Sequence, residues 1–250
     1  MTKMPNALRL ALGTFTRIPV PAPTLVNQSI AGQAIALAPF TSVVLALICG
    51  IPLLFSSTQA PHALLATMSV ALLAWGTRGM HLDGLADVAD GLGSNKPPAL
   101  ALEVARKSDI GPFGVITLVF TLALQIIALT ACLDHGQGFL AFACALIMSR
   151  TALTWGCIKG WKAARSQGLG AMVAESVPIA VPIIWTLFTL IGSYLLFGIT
   201  GTAATASAVI AAVIMFNVTK RCFGGVTGDV FGAAIEVAAT AALIVLALAN

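Results

Sequence analysis

Apolar runs of about 20 residues decide the fold class of this chain, because each can cross the roughly 30 Å hydrocarbon core of a bilayer as a helix. Residues 112–133 and 178–199 are two such runs. Of the 250 residues, 58% are hydrophobic and only 9% charged, more apolar surface than a soluble globule can bury. The run lengths select helices over the shorter strands of a barrel. The expected architecture is all-α, a polytopic integral membrane helical bundle with about seven transmembrane helices, near 32–56, 62–80, 112–133, 137–158, 178–199, 202–219 and 230–249.

The connecting segments fall into two alternating groups. Loops 57–61, 134–136 and 200–201 are short and free of Lys and Arg, whereas 81–111, 159–177 and 220–229 are longer and carry most of the charge. An N-in, C-out orientation then places Lys3, Arg9, Arg17 and nearly every other basic residue on the cytoplasmic side. A net charge of +4 is thereby explained by topology, and no basic stripe for nucleic acid is present. The chain reads as one domain over 1–250, with an N-terminal interfacial segment at 1–30, a cytoplasmic acidic motif loop at 81–111 and a cytoplasmic glycine-rich turn at 220–229. Within 1–30 the largely apolar stretch between Arg9 and Arg17 is only seven residues, too short for a signal peptide, and Leu8, Leu12 and Phe15 share one helical face suited to the membrane interface. The five cysteines are single and widely spaced, which gives neither a disulfide framework nor a thiolate metal site.

The densest chemistry lies in His81-Leu82-Asp83-Gly84-Leu85-Ala86-Asp87-Val88-Ala89-Asp90-Gly91. Its aspartates are spaced i, i+4, i+7, so on a helix all three lie on one narrow face and repel one another. A hard divalent cation relieves that repulsion, and Mg²⁺ characteristically combines one or two carboxylates with waters and substrate phosphates. Asp83, Asp87 and Asp90 are therefore candidate metal ligands. A merely solvated acidic face is the plainer reading, but the cluster abuts a span and its neighbours are Leu, Ala and Gly.

On the same side, Lys220-Arg221-Cys222-Phe223-Gly224-Gly225-Val226-Thr227-Gly228-Asp229 has the makings of an anion site. Gly224 and Gly225 would let backbone N–H groups approach phosphate oxygens, with Lys220 and Arg221 supplying charge. Glycine pairs also serve ordinary turns and helix packing. Glu236 follows Asp229 by seven residues on the same helical face, inside an apolar run, and is a candidate for metal, proton or substrate binding, or for a structural ion pair. Arg150 in the fourth span needs a partner, either a substrate phosphate or a carboxylate. His62 and His135 stand in short loops away from every acidic motif. Between Glu103 and Gly114, Ser108 and Asp109 are cap candidates before a helix start at Pro112.

Taken together these motifs resemble the cobalamin synthases, the adenosylcobinamide-GDP ribazoletransferases, over almost the whole chain. The likeness is carried by Phe15-Thr16-Arg17-Ile18-Pro19-Val20-Pro21, His81-Leu82-Asp83-Gly84-Leu85-Ala86-Asp87, the Ser108-to-Gly114 turn, Ser149-Arg150, Gly224-Gly225-Val226-Thr227-Gly228-Asp229 and Glu236. The HLDGLAD run is the most specific. In the turn this chain has Lys107-Ser108-Asp109 where the family form reads Asp-Ser-Arg, so the two charges are exchanged and neither is carried over as catalytic.

The resemblance implies a multi-pass enzyme of the cell membrane, with its active site facing the cytoplasm and Mg²⁺ as cofactor. It implies transfer of the adenosylcobinamide-phosphate moiety of adenosylcobinamide-GDP to α-ribazole or α-ribazole 5′-phosphate, releasing GMP and forming adenosylcobalamin or its 5′-phosphate. The lipid bilayer is its surrounding, nucleic acid is not a partner, and a homo-oligomer or association with other corrinoid-pathway enzymes stays open. Asp83, Asp87, Asp90 and Asp229 are the expected catalytic residues. Arg17, His81, Ser108, Arg150, Lys220, Arg221, Gly224, Gly225, Thr227 and Glu236 are the expected substrate contacts. Asp90 or Asp229 would accept the proton of the attacking ribose hydroxyl, with Arg17, Arg150, Lys220 or Arg221 steadying phosphates. A CDP-alcohol phosphotransferase would need two further aspartates close behind the first cluster, but Asp109 comes only nineteen residues after Asp90. A transporter would show internal repeats, and the HLDGLAD segment has no second copy.

Overall fold

The computed structural model describes residues 4–107 and 109–249. Among them the chain is helical throughout, with one isolated parallel bridge between Ala163 and Val226 in place of any sheet. In order come α1 (Asn6–Phe15), α2 (Gln28–Ala36), α3 (Ala38–Cys49), a 3₁₀ turn (Ile51–Phe55), α4 (His62–Gly76), α5 (Met80–Gly93) and α6 (Pro98–Val104). They are followed by α7 (Pro112–Asp134), α8 (Gly138–Trp155), α9 (Leu169–Val173), α10 (Ala180–Phe223) and α11 (Gly228–Leu248).

The helix starts follow local chemistry. Asn27 caps α2 by accepting from Ile30 N at 2.9 Å, and the Thr227 hydroxyl caps α11 by accepting from Val230 N at 3.2 Å. Pro112 opens α7 where its missing N–H costs nothing.

Burial separates a central pair from an outer shell. The apolar windows of α8 and α11 are each 72% buried, against 22% for α7 and 33% for α10. Ile116, Phe120 and Ile127 of α7, with Ile184, Phe188 and Leu195 of α10, remain largely exposed, as side chains do when their solvent is lipid. Four helices are long and apolar enough to cross a membrane, or six if the bent pairs α2/α3 (47°) and α4/α5 (87°) each count as one span.

The 44 residues of α10 would measure about 66 Å if straight, twice the hydrocarbon thickness. They are not straight. Gly198 takes φ 59°, ψ −140°, and beyond it the hydroxyls of Ser193 and Thr205 meet at 3.0 Å, although twelve residues of continuous helix would hold them about 18 Å apart. The helix folds back into two arms that match the runs expected at 178–199 and 202–219. The expected span 62–80 ends instead at Gly76, because Arg78 (φ 59°) and Gly79 (φ 67°) are both left-handed and turn the chain sharply into α5. The Arg78 guanidinium donates to the Gly13 carbonyl, which ties this break to α1. The segment 81–111 thus contains two helices, α5 and α6. In the interfacial segment Phe15 is buried, while Leu8 and Leu12 of the same expected face stay half-exposed beside Ala7 and Ala11, which are buried.

The charged loops meet at one end of the bundle. Gln28 donates to Ala174 O, Arg165 to Leu102 O and Lys220 to Gly160 O, linking α2, α6, α10 and the 159–177 loop there. At the opposite end His62 Nδ1 lies 2.6 Å from Asp134 Oδ1.

Candidate active site

The acidic helix and the last helix cross where both are small. A Cβ on Gly84 of α5 would lie 2.7 Å from the Asp229 carbonyl oxygen and 2.8 Å from its Cα. No residue larger than glycine fits there unless the helices separate. This contact brings the Asp83 and Asp87 carboxylates of α5 next to Asp229 in the first turn of α11. The consequence registers on Asp87. Burial, then the charges of Asp83, Asp229 and Asp90, push its carboxyl up to about 7 against a weaker opposing pull from Arg165.

Beside this crossing opens a cavity of about 240 Å³ between α1, α2, α5, α9 and α11. Its lining is mixed, with Asp83, Asp229, Thr227, Arg165 and Gln167 beside Leu10, Phe15, Ile35, Leu153, Phe231 and Ile235. Thr227 donates to Asp229 Oδ2 at 3.3 Å, which holds that carboxylate at the α11 N-terminus, where the helix dipole favours an anion.

Four residues expected from the sequence therefore meet in this cavity: His81, Asp83, Thr227 and Asp229. Asp87 belongs to the same electrostatic group. Asp90 is engaged elsewhere, since Oδ2 accepts from Gly111 N at 2.7 Å and Oδ1 from Gly114 N at 2.9 Å. It caps α7 with both oxygens, although it shares a face with Asp83 and Asp87. Among the described residues no three His, Cys, Asp or Glu side chains form a ready-made metal cage. An Mg²⁺ that draws most of its ligands from water and phosphate needs no such cage, and the all-oxygen, mutually repelling set Asp83, Asp87 and Asp229 fits it.

Arg150 and Glu236 lie behind the cavity wall, in the core. Arg150 is 1% exposed; its Nη1 donates to Ser149 Oγ at 3.1 Å and its Nη2 lies 3.4 Å from His81 Nδ1. Glu236 Oε1 is 4.0 Å from the same His81 nitrogen, and Oε2 accepts from Gln125 Nε2 at 2.8 Å. Both charges thus converge on His81, and neither lines the cavity.

The glycine-rich turn is used for packing. Gly224 (φ 79°) ends α10, and a Cβ on Gly225 would fall 2.3 Å from Lys162 O. Val226 N donates to Lys162 O, and Ala164 N to Val226 O, each at 2.9 Å, so the turn is stitched to the 162–164 strand-like segment. Lys220 sits over the Trp161 ring, Arg221 is exposed at the end of α10, and Arg17 stacks on Trp75 at 4.4 Å. None of these cations lines the cavity. Ser108 lies outside the described residues.

Arg165 and Gln167 line the cavity too, and sequence reasoning did not single them out. Burial lowers the Arg165 guanidinium from its ordinary value, while Asp229 and Asp87 work against that shift. The only signal in the sequence was the charged character of the 159–177 loop, whose three basic residues are Lys159, Lys162 and Arg165, with nothing to single Arg165 out.

The family model described as cobalamin-5-phosphate synthase matches residues 7–247. The adenosylcobinamide-GDP ribazoletransferase of Nocardioides sp. is 37% identical over 242 residues, spanning 96% of this chain and 98% of its own. That of Frankia casuarinae is 36% identical over 264 residues, spanning 96% and 94%. The Escherichia coli protein of the same name is 32% identical over 231 residues, spanning 90% and 92%. No solved structure matches the chain.

Proposed function

The chain belongs to the cobalamin-5-phosphate synthase family, and from that premise we propose how its charged end performs the reaction. The enzyme transfers the adenosylcobinamide-phosphate moiety of adenosylcobinamide-GDP to α-ribazole or its 5′-phosphate, a step of vitamin B12 biosynthesis. The observation that carries the mechanism is the cavity that joins Asp83, Asp229 and Arg165 to an apolar interior.

A ribose hydroxyl of α-ribazole attacks the phosphorus bonded to cobinamide. A new P–O bond forms, the bond to the bridging diphosphate oxygen breaks, and GMP departs. Asp229, held by Thr227 at the mouth of the cavity, takes the hydroxyl proton. Arg165 faces the same space and binds the diphosphate oxygens, and its Nε has no hydrogen-bond partner among the described residues. Asp83 and Asp87, with Asp229, would hold Mg²⁺, which when bound neutralises charge on the diphosphate. Asp90 positions this acidic helix against α7.

The topology we propose has seven crossings: α2/α3, α4, α7, α8, the two arms of α10, and α11. Lys and Arg gathered at one end make that end cytoplasmic in a cell membrane, with the N-terminus inside and the C-terminus outside. Lys3 is outside the described residues. The His62–Asp134 contact supports the scheme, since it joins the borders of two of the loops without Lys or Arg at the far end.

Membranes containing the chain, given adenosylcobinamide-GDP and α-ribazole, are expected to release GMP and form the corrinoid product with Mg²⁺ and not without it. Full activity of Asp83→Ala, at equal membrane content, would overturn the site.

A further inference from the structure

The first 82 residues contain Lys3, Arg9, Arg17 and Arg78 and no Asp or Glu. Two of these cations are fixed at one place, the break where α4 ends and the chain turns by 87° into α5. Arg17 N donates to Gly76 O at 2.7 Å, and the Arg17 guanidinium lies over the Trp75 ring at 4.4 Å. Arg78, within the break, donates from its guanidinium to the Gly13 carbonyl. Among the described residues no ion pair joins either one to a carboxylate. Membrane topology accounts for the sign of these charges, but it needs only their number and gives no reason to anchor them.

The surface beside them suits lipid. Leu64, Met68, Leu72 and Trp75 recur at helical spacing along α4 and are 37% to 62% exposed, an apolar face that ends at Trp75 in the last turn. A tryptophan at the end of such a face stands at headgroup level. Stacking occupies the flat side of a guanidinium and leaves its N–H edge free, and that fork of donors matches a phosphate. Arg78 commits one nitrogen to Gly13 and keeps other donors.

We propose that Arg17, Arg78 and Trp75 form a headgroup site for an anionic phospholipid of the surrounding bilayer. The phosphodiester meets the two guanidiniums, and the acyl chains run along the face from Trp75 to Leu64. A zwitterionic lipid fits less well, because its ammonium would come beside two cations with no carboxylate to receive it. A soluble phosphate has nothing to lay on the apolar face. The site needs this face of α4 to meet lipid, as the crossing proposed above requires, and it does not depend on the transfer reaction.

The test places the full chain in nanodiscs of phosphatidylcholine and phosphatidylglycerol, with bromine-labelled acyl chains on one lipid or the other. Quenching of Trp75, taken as the difference between each chain and the same chain carrying Trp75→Leu, gives the relative affinity of the two headgroups at this place. Salt of about 0.5 M screens the diffuse attraction of scattered charges. Phosphatidylglycerol should be preferred, and Arg17→Gln should lower that preference about tenfold, the usual loss of a charge-assisted hydrogen bond. Arg78→Gln should act in the same direction, and Arg17→Lys should recover part of the loss. Arg221→Gln removes the same charge from the same end of the bundle and should change the preference less than about twofold under that screening. Equal quenching by both lipids in wild type, a preference untouched by Arg17→Gln and Arg78→Gln, or an equal loss in Arg221→Gln would each overturn the site. Displacement of phosphatidylglycerol by excess inorganic phosphate would give these cations to a soluble anion and overturn it too. Absence of quenching by either lipid would instead sink the α4 crossing, and the site with it.

Discussion

Replacing Gly84 with Ala tests whether the active site depends on how closely α5 and α11 approach. The new Cβ would sit 2.7 Å from the Asp229 carbonyl oxygen, and ordinary contact begins near 3.4 Å, so the helices must part by about 0.7 Å at the crossing. Because the obstructing atoms are backbone, no rotamer change relieves them. Two stability effects oppose each other. Ala gains about 1 kcal/mol over Gly in a helix, and overpacking costs about 1–3 kcal/mol, which leaves a net loss of about 0–2 kcal/mol. Catalysis has no such compensation. A displacement approaching 1 Å between reacting groups can cost about a hundredfold, so kcat should fall about ten- to a hundredfold as Asp83 and Asp87 move from Asp229. The signature is this separation of effects, read by GMP release in proteoliposomes and thermal unfolding in detergent. Gly192→Ala is the control, since a Cβ there meets nothing within 4 Å; it should leave turnover untouched. A Gly84→Ala enzyme with kcat within about twofold of wild type would refute the reasoning, because the required shift would then not reach the reacting groups.

Asp90→Ala should destabilise the protein by about 1–2 kcal/mol through loss of the α7 cap and lower turnover only partly, whereas Asp229→Asn should abolish turnover with thermal stability retained; the opposite ranking would exchange their roles. Arg150→Met leaves Glu236 and His81 without their cation and should cost about 3–5 kcal/mol, measured by thermal unfolding; an unchanged Tm would refute the buried network. For Asp87, burial and the adjacent carboxylates favour the protonated form, so its contribution to stability is greatest below the ordinary carboxylate range and is lost as pH rises through about 7. Metal binding needs the ionised form, so at limiting Mg²⁺ turnover should rise with pH through about 7, and saturating Mg²⁺ should move that midpoint lower; a midpoint indifferent to Mg²⁺ would exclude Asp87 as a ligand.

The parts of this fold that were legible in the sequence are those governed by local pattern. Run length marked the long apolar helices, including both arms of α10, and the i, i+4, i+7 spacing put the aspartates on one face of what is indeed a helix. The pattern does not reveal what a shared face touches. Asp83 and Asp90 are alike by spacing, but they stand two turns apart along α5, where one lines the cavity and the other meets amides at the start of α7. The glycines of 224–225 carried the same ambiguity between phosphate binding and packing, and the partner segment that decided it, 162–164, is sixty residues away.

Arg150 and Arg165 make the same point about cations. Arg150 interrupts an apolar run, yet it is buried behind the cavity wall, where it contacts Ser149 and His81. Arg165 sits among ordinary loop charges and becomes a site residue only because Gly170 lets α9 pack directly on Thr227 and Gly228, where a Cβ would come within 2.7 Å of backbone. That contact closes the 159–177 loop over the start of α11 and carries Arg165 to the carboxylates. A charge inside the membrane signals a constraint on the core, and a charge in a loop acquires chemistry only through the packing that places it. In this chain the two are coupled through His81, which lies between the buried network and the cavity that Arg165 lines.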